Sequence, residues 1–339
     1  MRFIRSLEQC RAADFRAQLA SPRTCGVTIG NFDGMHLGHQ ELFSRLHAEL
    51  SQIAQPGAPP FSGLLTFYPH PRHALSGVSP RTWDNDPRFW LVHPLSRRLE
   101  LAGDFGFDFA LRLKFSSAFA ALSPEQFVEQ YLVGALGVRV VVVGDDWRFG
   151  AAQRGDAELL HKLAKKHGFR AITVPPVIRE GVRVSTSLVK RALVEGDFTR
   201  LEALLGRRFV FSGKVRSGDK RGRALGFPTA NLLPHRQLLP PDGVYAARVY
   251  WRDLVIPAVT NIGCSPTFGG ARRLVETHLL GGSGYRLYRE RIRVEFVSFL
   301  RPEHKFAGAE ALREQLVRDV EAAQRELDLR GLYKFPESS

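Results

Sequence analysis

The pattern of apolar residues changes once along the chain, and this change limits the possible folds more than any other feature of the sequence. Between Cys25 and Pro176, short apolar segments alternate with helical patterns. This alternation is typical of a parallel β-sheet with right-handed helical crossovers. The strands predicted in this part are GVTIG, SGLLTF, FDFALRL, VRVVVVG and RAITVPPV. Ligands of such sheets bind beyond the carboxyl ends of the strands.

After about Arg207 the strand-like segments are separated by turns that contain glycine and proline. The strands predicted there are RFVFSGKV, GVYAARVYW, LVIPAVTNIG, LVETHLL and RIRVEFVSFL. This pattern predicts an antiparallel, barrel-like domain. A closing helix is predicted from about Gly308 to Leu327, with an apolar stripe that packs on the core.

The change of pattern also predicts the domain organisation of the 339-residue chain. Residues 1–187 form an α/β domain, and residues 207–339 form the barrel with its C-terminal helix. Between them, residues 188–206 form a helical linker that is broken at Gly196 and Asp197.

The net charge of +14 predicts attraction to polyanions, which include nucleic acid, anionic lipid and phosphorylated small molecules. Glycines interrupt the densest basic cluster, residues 216–223, and this does not favour a nucleic-acid partner. The chain has no apolar run that fits a membrane span or a signal peptide, so we expect a cytoplasmic protein without a membrane partner. The three cysteines, Cys10, Cys25 and Cys264, have no metal-ligand spacing and suggest neither disulfides nor zinc. The oligomeric state stays open.

His36 and His39 lie three residues apart where a predicted strand gives way to a predicted helix, in TIGNFDGMHLGHQELF. Glycines let the backbone approach a ligand, and the amides at the start of a helix suit a phosphate. Both histidines lie on one side of the first helical turn and can donate to the same phosphate. Taken alone, the spacing favours a structural cap and a surface residue. Zinc is less favoured, because no third ligand follows at a useful spacing.

The segment GNFDGMHLGHQ resembles the H-x-G-H signature of the nucleotidylyltransferase superfamily. Its surroundings resemble the prokaryotic bifunctional riboflavin kinase/FAD synthetase (FMN adenylyltransferase) family, over nearly the whole chain. The resemblance implies a Rossmann-like nucleotidylyltransferase domain followed by a β-barrel riboflavin kinase domain. It also implies two reactions, which are phosphorylation of riboflavin by ATP to FMN, and adenylylation of FMN by a second ATP to FAD with release of pyrophosphate.

The resemblance also implies the residues of the adenylyltransferase site. RVSTSLVKRAL resembles the family's R-I-S-S-T-x-I-R segment, and together with the H-x-G-H loop it supplies the residues expected to bind ATP phosphates: Gly30, Asn31, Asp33, His36, His39, Arg183, Thr186, Ser187 and Lys190. Ser185 alone is an ordinary helix cap. LTFYPHPR and VVGDDWRFG resemble the flavin-side loops and supply Pro69, Pro71, Asp146 and Trp147.

The sequence departs from the family pattern at several of these positions. Trp147 stands where phenylalanine is usual, and Thr186 and Ser187 occur in reversed order. Lys190 replaces an arginine, so a bidentate phosphate clamp becomes a point charge.

In the second domain, GDKRGRALGFPTANL resembles the riboflavin kinase signature. It supplies Gly222, Gly226, Thr229 and Asn231 for ATP phosphates, with Thr229 and Asn231 also as ligands of Mg²⁺. From the residues alone, this segment also fits a glycine-rich hairpin.

LVETHLL supplies Glu276, which matches the family's catalytic glutamate and is expected to take the proton of the flavin 5′-hydroxyl. Strand periodicity places Glu276 and His278 on one face, and Val275 and Thr277 on the other. Gly281 and Arg289 replace an acid and a glycine of the family pattern, which suggests an altered flap.

Two other functions stay open at this point. The chain can be a nucleotidylyltransferase for a different phosphorylated acceptor, such as a cytidylyltransferase, but this leaves the P-T-A-N segment and Glu276 unexplained. It can also be a basic RNA-binding module on an ancient nucleotide fold, although no K-M-S-K-S-like segment accompanies the histidines.

Overall fold

A computed structural model describes most of the chain, namely residues 1–11, 24–79, 82–83, 86–216, 227–265, 272–280, 285–304 and 306–329. The chain divides into two compact units. The first contains Met1–Val189 and Leu204–Gly206, and the second contains Lys190–Ala203 and Arg207–Ser339. Most of the predicted helical linker, residues 188–206, therefore groups with the second unit.

The first unit is built on a six-stranded sheet with the order β1-β4-β3-β2-β5-β6, in which all neighbouring strands are parallel. Its strands are β1 (Arg2–Ile4), β2 (Cys25–Ile29), β3 (Phe61–Tyr68), β4 (Phe109–Lys114), β5 (Val140–Gly144) and β6 (Arg170–Val174). This confirms the predicted α/β sheet and adds β1, a segment too short to show a pattern. A two-stranded hairpin of β7 (Ile178–Arg179) and β8 (Val182–Arg183) follows.

Helices connect these strands, and the first unit contains α1 (Leu7–Arg11), α2 (Leu37–Gln52), α3 (Pro71–Ala74), α4 (Leu95–Asp104), α5 (Ser117–Ala120), α6 (Pro124–Phe127) and α7 (Ala157–His167). Further helical turns lie at Pro87–Phe89, Val128–Val133 and Ala151–Gln153. Helix α7 begins after the capping side chain of Asp156 and ends at Gly168, whose φ of 73° is left-handed.

Apolar clusters cover both faces of the sheet. In β5, Val141 and Val143 belong to one cluster, whereas Val140 and Val142 belong to the other. The second cluster includes the buried face of α2, with Leu42, Phe43, Leu46 and Leu50. Burial of alternate residues on opposite faces explains the unbroken valine run, because a parallel strand packed on both sides has no polar face.

The strand order reverses at β2. From β2 the chain continues to β3 and β4 on one side, and it later returns to β5 on the other side of β2. The loops that follow β2 and β5 therefore lie next to each other at the carboxyl edge of the sheet. This is the position where open α/β sheets bind ligands.

The second unit contains a closed antiparallel barrel with the order β10-β13-β12-β11-β14-β9. Helices α8 (Thr186–Glu195) and α9 (Phe198–Leu205) precede it, separated by Gly196 and Asp197 as predicted. The strands are β9 (Val210–Arg216), β10 (Thr229–Leu232), β11 (Gly243–Trp251), β12 (Leu254–Ser265), β13 (Arg272–Leu279) and β14 (Arg291–Arg301), and α10 (Ala309–Leu329) follows them. The predicted barrel and its C-terminal helix are confirmed, with β10 as an additional strand.

Helix α10 packs on the outside of the barrel. Its Ala323 and Leu327 are fully buried against Val244 and Val259 of β11 and β12. The predicted apolar stripe is only partly buried, since Val317 is 45% exposed. None of the helices in the described ranges is both long and apolar enough to span a membrane.

Candidate active sites

The loop between β2 and α2 holds an unusual backbone conformation. Phe32, Gly34 and Met35 have φ angles of 51°, 82° and 44°. Glycine tolerates this region, whereas for Phe32 and Met35 it costs on the order of 1–3 kcal/mol each. The side chains of Phe32 and Met35 are almost fully buried, at 1% and 0% exposure. Burial of these side chains therefore holds the strained loop that leads to His36.

His36 and His39 lie on one face, as the sequence predicts. Their rings stack with centroids 3.8 Å apart and planes within 16°. The Nε2 atom of His36 is 3.4 Å from Oγ1 of Thr186, which donates to the backbone oxygen of Asp33 at 3.3 Å. His36 occupies the cap position of α2, yet its side chain makes no capping hydrogen bond. The geometry thus does not favour a capping role for His36.

Asp33 is buried beneath the same loop. Its Oδ1 accepts a hydrogen bond from the amide of His93 at 3.0 Å, and its Oδ2 accepts one from the amide of Val92 at 3.2 Å. Both carboxylate oxygens are therefore engaged by backbone amides, an arrangement that holds two loops together. A direct contact between Asp33 and ATP stays a prediction.

The start of α8 lies opposite the histidines within the first unit. The hydroxyl of Ser185 accepts a hydrogen bond from the amide of Leu188 at 3.3 Å and so caps the helix. Thr186 is half-buried and Ser187 is exposed. Lys190 lies one helical turn after Thr186 and is counted with the second unit.

Arg183, at the end of β8, forms ion pairs with two acids of the loop after β5. Its Nη2 lies 2.7 Å from Oδ2 of Asp146 and 3.2 Å from Oδ1 of Asp145. The structure thus joins Arg183, predicted to bind ATP phosphates, directly to Asp146, predicted to lie near the flavin. The pair is exposed, so its contribution to stability is small.

A cavity of about 610 Å³ opens between the loops after β2 and β5. Gly30 and Asn31 line one side, and most of the remaining wall is aromatic: Phe67, Phe115, Phe119, Phe127, Trp147 and Phe149. The rings of Trp147 and Phe149 stack with centroids 4.4 Å apart and planes within 14°. The volume lies in the range of small-molecule sites, and the flat rings suit a planar ligand.

Of the predicted flavin-side residues, Pro71, Asp146 and Trp147 line this cavity. Pro69 lies two residues before Pro71 and is half-buried, but it is not one of the lining residues.

In the barrel, strand register brings three polar residues side by side. Glu276 of β13 pairs with Asn231 of β10 on one side and with Asn261 of β12 on the other. Side chains of directly paired residues share a face and lie about 5 Å apart at Cβ. Asn261 also pairs with Val244, which packs against α10, so this face is the outside of the barrel.

The alternation predicted for β13 is confirmed. Val275 and Thr277 are fully buried on the inner face, where the hydroxyl of Thr277 lies 3.1 Å from that of Thr260. Glu276 and His278 are half-buried on the outer face. Glu276 therefore lies on the same face as Asn231, which is 7% exposed.

His278 connects Glu276's strand to the P-T-A-N segment. Its Nδ1 lies 2.9 Å from the backbone oxygen of Pro228, and it pairs in register with Thr229. Gly222, Gly226 and Gly281 lie outside the described residues. Arg289 has a φ of 67°, and its amide donates to the oxygen of Val215 at 3.1 Å.

Comparison with known proteins identifies the family of the chain. The FAD synthetase family model matches residues 18–188, and the riboflavin kinase family model matches residues 205–327. The bifunctional riboflavin kinase/FMN adenylyltransferase of Escherichia coli K12 is 37% identical over 296 residues, covering 87% of this chain and 90% of that protein. The protein of the same name from Pseudomonas fluorescens is 38% identical over 303 residues, covering 89% and 93%. The chain belongs to the bifunctional riboflavin kinase/FMN adenylyltransferase family.

A crystal structure named as a macrolide-efflux protein from Streptococcus pneumoniae has the same overall fold as this family member. Its TM-score is 0.78 at 28% sequence identity, and the alignment covers 96% of this chain and 99% of that one. The matches support the predicted enzyme of flavin biosynthesis, and they support neither a different acceptor nor an RNA-binding module.

Several residues that contact the two candidate sites carry no local signal in the sequence. Arg98 and Thr66 contact the loop after β2, and Asn261 pairs with Glu276. Each is brought to its site by strand order or helix packing across many residues. Phe115, Phe119 and Phe127 are close in sequence, and this concentration of aromatic residues was a usable signal for the cavity.

Proposed function

We propose that each unit carries one of the two reactions of flavin cofactor synthesis. The barrel unit transfers the γ-phosphate of ATP to riboflavin and gives FMN. The α/β unit transfers AMP from a second ATP to FMN and gives FAD and pyrophosphate. The observation that carries this proposal is that the loop after β2 begins with Gly30 and Asn31 in the wall of the aromatic cavity and continues into the stacked pair of His36 and His39. The proposed phosphate site and the proposed planar-ring site thus share this loop.

In the α/β unit, an oxygen of the FMN phosphate attacks the α-phosphorus of ATP, and the bond from that phosphorus to the bridging oxygen of pyrophosphate breaks. Charge grows on the α-phosphate oxygens during this step. His36 and His39 donate hydrogen bonds to these oxygens, and the amides at the start of α2 add their partial positive charge. The histidines therefore stabilise charge and form no covalent intermediate.

The triphosphate is held from two sides. Gly30 and Asn31 present backbone after β2. A Cβ atom at Gly30 would lie 3.0 Å from the ring of Phe32, so the glycine leaves room for that buried side chain. Arg183, Thr186, Ser187 and Lys190 hold it from the other side. Because Arg183 is paired with Asp145 and Asp146 in the structure, ATP binding replaces carboxylate partners by phosphate oxygens.

FMN binds with its ring system in the aromatic cavity. Trp147 provides a flat face whose orientation is fixed by stacking on Phe149. Stacking of this kind contributes about 0.5–1.5 kcal/mol beyond the burial of area. Pro71 closes part of the same wall, and Asp146 lies at the rim.

In the barrel unit, Glu276 takes the proton of the 5′-hydroxyl of riboflavin as that oxygen attacks the γ-phosphorus of ATP. The bond from the γ-phosphorus to the bridging oxygen breaks, and ADP leaves. Asn231, beside Glu276 in register, and Thr229, two residues earlier on the same face, contact the phosphates. This donor set of a hydroxyl, an amide oxygen and a carboxylate fits Mg²⁺, which prefers hard oxygen ligands. When bound, Mg²⁺ neutralises charge on the phosphates, and Thr229 and Asn231 are the residues that hold it.

The proposed domains are residues 1–187 for adenylyl transfer, 188–206 for the helical linker and 207–339 for the kinase. We also propose that the protein is cytoplasmic. The net charge of +14 suits polyanionic substrates.

Incubation of the protein with riboflavin, ATP and Mg²⁺, followed by chromatographic separation of the flavins, tests the proposal. We expect FMN to form first and FAD to follow, and chelation of Mg²⁺ to stop the kinase reaction. Parallel reactions with CTP, or with pantetheine phosphate as acceptor, examine the other nucleotidylyltransferase activities. Absence of both FMN and FAD from the riboflavin reaction overturns the proposal.

A further inference from the structure

Arg98 of α4 is almost completely buried, at 1% exposure, directly behind the loop after β2. Its Nη1 donates to the backbone oxygen of Asn31 and to the hydroxyl of Thr66, the latter at 3.1 Å. The same hydroxyl donates to the oxygen of Asn31 at 3.3 Å. Two side chains from different elements therefore converge on one carbonyl group.

This buried charge is costly to keep. Burial lowers the pKa of Arg98, and the negative charge of Asp33 opposes that shift. The Nε atom of Arg98 is also buried, and no residue in the described ranges accepts a hydrogen bond from it. An apolar side chain of similar volume fills such a space without this cost. The presence of an arginine at this buried position is therefore best explained by the group to which it donates hydrogen bonds.

The group that Arg98 holds is the peptide between Asn31 and Phe32. In a trans peptide the carbonyl and the N–H point in opposite directions. Because the carbonyl of Asn31 faces Arg98, the N–H of Phe32 faces away from it. No described residue accepts a hydrogen bond from that N–H. A buried donor without a partner is unfavourable, so this conformation is suited to a ligand that offers an oxygen as acceptor.

We propose that Arg98, together with Thr66, is a positioning residue for adenylyl transfer, which fixes the Asn31–Phe32 peptide so that its N–H faces the phosphates of ATP. The inference rests on the proposed function of the α/β unit. Arg98 touches neither substrate. Arg98 acts through the loop that also carries His36. When the hydrogen bonds of Arg98 are lost, this strained loop can leave the conformation needed for the reaction.

The neighbouring arginine offers a matched control. Arg97 lies on the same helix and is 6% exposed, but its Nη1 donates to Glu100 at 2.9 Å and not to the loop. We expect Arg98→Met to lower kcat for conversion of FMN to FAD about 10- to 100-fold, because misplacement of a reacting group by about 1 Å has that effect. We expect an unchanged KM for FMN, and near wild-type kcat in Arg97→Met. The riboflavin kinase rate of each variant shows whether the barrel unit is still folded and active.

A second pair of variants keeps the test valid if Arg98→Met does not fold. Thr66→Val removes the hydroxyl but preserves the shape of the side chain, whereas Thr66→Ser preserves the hydroxyl. We expect Thr66→Val to lower kcat for FAD formation and Thr66→Ser to retain most of it.

Equal kcat in Arg98→Met and Arg97→Met overturns the inference, and so does equal kcat in Thr66→Val and Thr66→Ser. An increase in the KM for FMN with an unchanged kcat also overturns the inference, because it places Arg98 in flavin binding. Failure of the wild-type protein to convert FMN to FAD instead overturns the proposed function itself.

Discussion

Replacement of Asp33 by asparagine tests how the loop after β2 is held. The carboxylate of Asp33 is 2% exposed and accepts hydrogen bonds from the amides of Val92 and His93 with its two oxygens. In Asp33→Asn, an NH₂ group replaces one oxygen and faces an amide donor. A hydrogen bond to a charged group, worth about 1.5–3 kcal/mol, is lost. The charge of Arg98 also loses a nearby negative partner.

Together these losses predict that the free energy of unfolding of the first unit falls by about 3–5 kcal/mol, since breaking a buried charge interaction has an effect of this size. Urea titration followed by tryptophan fluorescence measures it, because Trp83, Trp90 and Trp147 lie in the first unit. Asp104→Asn is the control, because Asp104 is exposed at the end of the same helix as Arg98. A change below about 1 kcal/mol in Asp33→Asn refutes a holding role for the carboxylate.

Three further substitutions test other parts of the account. Glu276→Gln should stop FMN formation, whereas supplied FMN is still converted to FAD; continued kinase turnover removes Glu276 from the role of base. Trp147→Ala should raise the KM for FMN in FAD formation about 10-fold through loss of a stacking face, and Trp147→Phe should stay near wild type. An unchanged KM for FMN in Trp147→Ala would show that Trp147 does not contact the flavin. Arg289→Gly should increase the free energy of unfolding of the barrel by about 1 kcal/mol, because glycine adopts a φ of 67° without strain. Urea titration of the kinase activity measures this, and a decrease in stability shows that the arginine side chain has a stabilising contact.

The sequence predicted features that depend on local periodicity. The spacing of His36 and His39 within one helical turn placed both rings on one face, and they stack. Alternation along β13 placed Glu276 opposite Val275, as observed. In both cases a single element with a known period determines the direction of the side chains.

Features that depend on packing between distant segments were not predictable in this way. Arg98 reaches the carbonyl of Asn31, 67 residues earlier in the chain, only because α4 packs beneath the loop. Asn261 lies beside Glu276 because β12 and β13 pair in one particular register. Asp33 belongs to a motif associated with phosphate, and nothing local in the sequence indicates that amides of another loop engage both of its oxygens.

The central claim is that the two reactions occur at separate sites in the two units. The most direct test follows riboflavin, FMN and FAD over time in a reaction of the folded His36→Ala/His39→Ala variant with riboflavin, ATP and Mg²⁺. We predict that FMN accumulates at the wild-type rate and that no FAD forms. Continued FAD formation, or loss of FMN formation together with FAD, contradicts the claim.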